Sequence, residues 1–175
     1  MSYKQRLNGL RAGFVMAAAS VKDATVRSWR LNNGLKLGLG AGEGEQRRYS
    51  LSDAARLTMM KKLTEEFAMS ALAATFLVNM AHQRIELLAS LAIYKLDHPD
   101  QGVPAVQSIM VATSADGTKP PEFFLPEELA GLERQRSELR IDLTAIVETA
   151  RYMLILATGG STGSIDTSGV EALAA

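Results

Sequence analysis

The sequence predicts a mainly α-helical fold with one small β-hairpin in its first third. Three observations carry that expectation. Two Ser-x-x-Asp capping boxes, Ser20 with Asp23 and Ser50 with Asp53, each precede apolar residues at helical spacing. Between them, residues 38–44 place glycine at every second position, with Lys36-Leu37 before and Gln46-Arg47-Arg48-Tyr49 after. That pattern reads as short strands about a glycine tip. Long apolar-periodic runs at 68–96 and 126–158 then fill most of the second half.

The elements follow in order. Residues 6–19 are rich in Ala and Leu and read as a first helix ending near Ser20. A second helix carries Ala24, Val26, Trp29 and Leu31. Asn32-Asn33-Gly34 stops it, because Asn and Gly tolerate positive φ. Trp29 is expected in the core, against Phe14. The helix opened by Ser50 buries Leu51, Ala54, Ala55, Leu57, Met59 and Leu63, and puts Arg56, Lys61 and Lys62 on its polar side. A long helix over 68–96 ends at His98-Pro99, and its first half is apolar nearly all round. Residues 103–125 form a connector with room for one short strand. Pro126-Glu127-Glu128 starts a last helix to about Thr158. Its leucines and their neighbours, from Leu129 and Leu132 through Leu139 to Leu154, recur at spacings that suit an antiparallel pair or a dimer seam. The expected organisation is a domain over 1–66, a helical dimerisation or effector region over 67–158, and a flexible tail over 159–175.

Composition narrows the function. The 175 residues are 47% hydrophobic and 22% charged, ordinary for a globular protein. Cysteine is absent, which excludes disulfides, thiolate metal sites and cysteine nucleophiles. Two lone histidines, His82 and His98, do not make a histidine-rich metal site. His82, in an apolar helix, is expected to be a satisfied core histidine. Glu65-Glu66 and Glu127-Glu128 are adjacent pairs that point different ways on a helix. No Ser-His-Asp spacing is present, and the glycines of 38–44 fit neither nucleotide-loop pattern. No enzyme, cofactor or metal is therefore expected. The longest apolar run, 67–81, is interrupted by Ser70, Thr75 and Asn79 and falls short of the roughly 20 residues that cross a bilayer. No secretory leader is recognisable, so a cytoplasmic location without membrane partners is expected.

The neutral net charge is unevenly distributed. Residues 1–62 hold 12 Lys and Arg against 4 Asp and Glu; residues 63–175 hold 7 against 15. A basic module joined to an acidic one suits nucleic-acid binding with a separate assembly or sensing region.

Helix, turn, helix, glycine-tipped hairpin and capped helix, in that order, are the layout of a winged helix-turn-helix. The residues themselves resemble a family. The run from Ala19 to Trp29, with Thr25-Val26-Arg27-Ser28-Trp29 at its end, is similar to the helix-turn-helix of MerR-type regulators, with Ser28 where an aromatic is usual. Asn33-Gly34-Leu35 stands where that family ends the second helix. Arg47-Arg48-Tyr49, Asp53 and Leu57 resemble its wing-to-helix junction. The resemblance covers about residues 11–66. It implies a bacterial or phage transcriptional regulator that binds double-stranded DNA as a homodimer. The family's cysteine-based sensing does not carry over to a chain without cysteine.

Residue chemistry selects the DNA contacts. Thr25, Arg27 and Arg30 reach DNA from the second helix, and Arg pairs with phosphate or guanine. Lys22 lies at the first turn, where a phosphate is favoured. Arg47, Arg48 and Tyr49 suit backbone contacts at the wing base. Two other classes fit the same sequence. One is a DNA-architectural, excisionase-like factor, against which the long second half argues. The other is a helical interaction module for RNA polymerase or a regulatory protein.

Overall fold

The computed structural model of the chain describes residues 2–38, 48–102, 106–112, 120–129 and 138–159. They are mainly helical, with one two-stranded and one three-stranded antiparallel sheet. No helix among them is long and apolar enough to cross a membrane.

The single helix expected over 6–19 is divided into α1 (Tyr3–Leu7), β1 (Asn8–Leu10) and α2 (Ala12–Ala18). Asn8-Gly9 is the interruption: Gly9 holds φ +74°, outside the helical region. α2 ends in a Schellman motif centred on Ser20. Val21 N–H donates to Met16 O and Ser20 N–H to Ala17 O, both at 3.0 Å. Val21 and Met16 also pack on the core, the apolar contact that accompanies this motif. Ser20, at φ +52°, is therefore a helix terminator and not the N-cap expected of it. α3 (Asp23–Asn33) begins behind Lys22, and Asp23 pairs with Arg27 instead of Ser20. α3 stops where the sequence says. Gly34 is at φ +73° and Leu35 N–H donates to Trp29 O at 3.1 Å.

β2 (Tyr49–Ser50) pairs antiparallel with β1, Asn8 opposite Ser50 and Leu10 opposite Tyr49. The expected hairpin joined it to Lys36-Leu37. Residues 34–38 form no strand among the described residues, and the hairpin's tip, 39–47, lies outside them. The second capping box forms as read. Ser50 N–H donates to Asp53 Oδ2 at 2.9 Å at the start of α4 (Leu51–Lys61). A π-helical turn, Lys62–Glu66, prolongs α4.

The long helix expected over 68–96 is two helices, α5 (Ala71–Met80) and α6 (His82–Asp97), divided at Ala81. Ser70 caps α5 by accepting Ala73 N–H at 3.2 Å. The division lets α5 pack on α3 and α4 while α6 packs on α1, α4 and the helix Leu143–Ala157. A strand in the connector is present as β3 (Ile109–Ala112). It sits between β4 (Glu122–Phe124) and β5 (Leu139–Asp142), with Ile109 opposite both Phe124 and Asp142.

The last expected helix, 126–158, is corrected most. Its start is only the short α7 (Pro126–Leu129), and residues 139–142 belong to β5. α8 (Leu143–Ala157) begins at Asp142, whose carboxylate accepts Ala145 N–H at 3.0 Å. Leu129 and Leu139 thus lie on different elements, and Leu132 is outside the described residues.

α8 packs against α2, α4 and α6. It buries Leu143, Ile146, Val147, Ala150, Leu154 and Ile155. Full burial of a leucine such as Leu154 contributes about 1.5–3 kcal/mol. A single apolar cluster runs from Leu7 to Ile155. The boundary expected at residue 66 therefore does not separate two cores. The α8 face, read as half of an antiparallel pair or as a dimer seam, is occupied within the chain.

Candidate nucleic-acid interface

α3 buries Val26 and Trp29 and turns Ala24, Arg27, Ser28 and Leu31 to solvent. Positions three and four apart share a helix face, so these residues form one exposed stripe. The Arg27 side chain is 72% exposed and contacts Asp23 at 2.6 Å. An exposed pair of this kind is worth at most about 1 kcal/mol, so Arg27 is easily recruited by a phosphate or a base. Leu31, at 84% exposed, extends the stripe toward Gly34. Lys22 is exposed at the N-cap, while Thr25 and Arg30 are half-buried. Trp29 is core as expected, but Phe14, its expected partner, is 40% exposed.

Of the other predicted site residues, Arg48 and Tyr49 lie at β2. Arg48 is exposed, and its Nη1 donates to Gly9 O at 3.3 Å, fastening β2 to β1. Tyr49 is buried in the core cluster, where it anchors β2. Arg47 lies outside the described residues. The structure thus brings Lys22, Thr25, Arg27 and Arg30 onto one helix and its cap, while Arg48 stands just before β2, tied to β1.

A buried polar network holds residues 34–38 after α3, and sequence reasoning missed it. Asp53 Oδ1 accepts Gly38 N–H at 2.9 Å and lies 3.2 Å from Arg56 Nη2. Arg56, expected on the polar side of α4, is 5% exposed. It donates to Lys36 O at 2.8 Å and to Ser52 O at 3.3 Å. Asn79 of α5 completes the clamp. Its Nδ2 donates to Gly34 O at 3.1 Å and its Oδ1 accepts Lys36 N–H at 3.2 Å. Two signals were present: the i, i+3 spacing of Asp53 and Arg56, and a lone Asn in an apolar helix.

Behind this segment opens a cavity of about 790 Å³, bounded by the last turn of α3, residues 34–38, the start of α4 and one face of α6. Arg30, Asp53, Arg56, His82 and Glu86 are among its lining. His82 departs from the satisfied core histidine expected of it. Its Nε2 is 3.6 Å from Glu86, but its buried Nδ1 has no hydrogen-bond partner among the described residues. No group of three or more acidic or histidine side chains among those residues is placed to hold a metal ion. Searches against protein-family models, curated proteins and solved structures found no match to this chain.

Proposed function

We propose that the chain is a sequence-specific DNA-binding transcriptional regulator. In this reading α2, the Ala19–Lys22 turn and α3 are its helix-turn-helix, and the segment from Gly34 to Tyr49 is its wing. The observation that carries it is the exposed stripe of α3 with Lys22, Arg27 and Arg30 around it, on a helix fixed at both ends. Ser20 and Gly34 end α2 and α3 in left-handed turns, and Asn79 and Asp53 clamp the chain beyond. α3 enters the major groove, and Arg27 is the residue placed to read a base. Lys22, Arg30 and Arg48 set position on the phosphates.

The test is a mobility shift with genomic fragments at rising salt. Salt-sensitive binding with a preferred sequence is expected, because each neutralised phosphate releases counterions. Absence of any salt-sensitive binding refutes the reading. Binding without sequence preference leaves an architectural factor.

A dimer belongs to the same reading, since two modules on a two-fold axis read a near-palindrome. Because the α8 face is occupied, a second copy has to use another surface. α5 offers one: Leu72, Phe76 and Met80 recur four residues apart and are 66%, 36% and 44% exposed. Sedimentation of the wild type and of Leu72→Glu checks it. A wild-type dimer that the substitution leaves intact places the interface elsewhere.

A further inference from the structure

We infer that the cavity beside α3 is a binding site for a small organic anion with an apolar body, a monocarboxylate by class. Its volume, about 790 Å³, lies in the range of sites that enclose small molecules. Its lining is divided in chemistry. Leu37 and Ile93 supply apolar wall, while Arg30 and Lys36 bring positive charge from the α3 side.

The acids of the lining are already engaged. Asp53 accepts from Ser50 and Gly38 and pairs with Arg56. Glu86 lies 3.9 Å from Arg56 and 3.6 Å from His82. Among the described residues neither Arg30 nor Lys36 is in an ion pair with a carboxylate. An anionic head against Arg30 and Lys36, with an apolar body against the leucine and isoleucine side chains, meets each of these demands.

The position gives the site a consequence that rests on the DNA-binding reading. Arg30 and Gly34 end the proposed reading helix, and residues 35–38 lead to the wing. A ligand seated among them biases the arrangement of the end of α3 and residues 34–38 by whatever it gains from one arrangement over another.

The experiment uses the full chain, first without DNA. Calorimetric titrations compare 2-naphthoate and octanoate with their neutral counterparts, 2-naphthamide and octanol. Saturable uptake of the carboxylates is expected, with the neutral compounds bound about tenfold more weakly. Lys36→Gln lowers carboxylate affinity roughly fivefold. Ser90→Phe, at an exposed position of the cavity wall, abolishes uptake without altering the melting temperature. Equal uptake of acid and amide, no saturable uptake, or uptake that neither variant changes overturns the site.

A mobility shift at saturating 2-naphthoate then reads the coupling. A change in DNA affinity of threefold or more, absent in Ser90→Phe, supports it; an unchanged affinity in the wild type overturns it. A chain that takes up the carboxylate at this site and binds no DNA keeps the site and refutes the DNA-binding reading.

Discussion

At the scale of single residues, Asp53 does more than cap a helix. Its two oxygens meet Ser50 N–H, Ser50 Oγ, Gly38 N–H and the Arg56 guanidinium, all with the side chain only 3% exposed. Removing one partner of a buried ion pair costs more than the pair itself gains, because the other charge stays buried. Asp53→Ala is therefore expected to lower stability by about 3–5 kcal/mol in urea unfolding, more than loss of a cap alone. The cap was legible in the sequence from Ser50 and Asp53. The Arg56 arm was not, because nothing local says that residues 36–38 fold back over α4. Ser20 is the opposite case, where the local signal misled. A Ser-x-x-Asp spacing looks like a cap, but Ser20 sits in the left-handed region, which costs about 1–2 kcal/mol without glycine. Ser20→Gly is expected to add about 1 kcal/mol of stability and so raise the midpoint of thermal unfolding, and Ser20→Val to lower it.

At the scale of elements, α3 was readable to within a turn, since Val26, Trp29 and Gly34 fix its buried face and its end. The functional prediction belongs to its outer face. Arg27→Ala is expected to cost about 1–3 kcal/mol of DNA binding and to relax preference at one base position, measured by titration with matched and mismatched sites. Tyr49→Phe, by contrast, is expected to leave DNA affinity unchanged, since the ring is a core group; a large loss would return Tyr49 to the interface. The strands were harder to read. β5 was hidden inside an apparent helix because Leu129, Leu132 and Leu139 happen to repeat at helical intervals. Its pairing with β3 is long-range, and a short strand is fixed by such partners more than by its own residues. β1 was hidden likewise, its partner β2 lying far along the chain.

At the scale of the whole molecule, the basic excess of the first 62 residues was legible and suggested a separable module. α8 presses on α2 and α4, and the apolar cluster passes without a break from one half to the other. Charge is a surface property and does not report where a core is divided. A fragment of residues 1–66 is therefore expected to lack cooperative thermal unfolding and near-ultraviolet circular dichroism, while the full chain shows both. A fragment that melts cooperatively would restore the boundary.

The burial of α8 also has a bearing on biosynthesis. α4 ends at Lys61 and α8 begins only at Leu143. As the nascent chain leaves the ribosome, α2 and α4 emerge with their α8-facing sides bare, and they stay bare until translation has passed Ala157. Such distant pairings are slow to close and leave apolar surface exposed meanwhile. The packing of α2 and α4 is therefore completed only after translation of that half has long finished, and a ribosome stalled before Leu143 holds a chain suited to a chaperone.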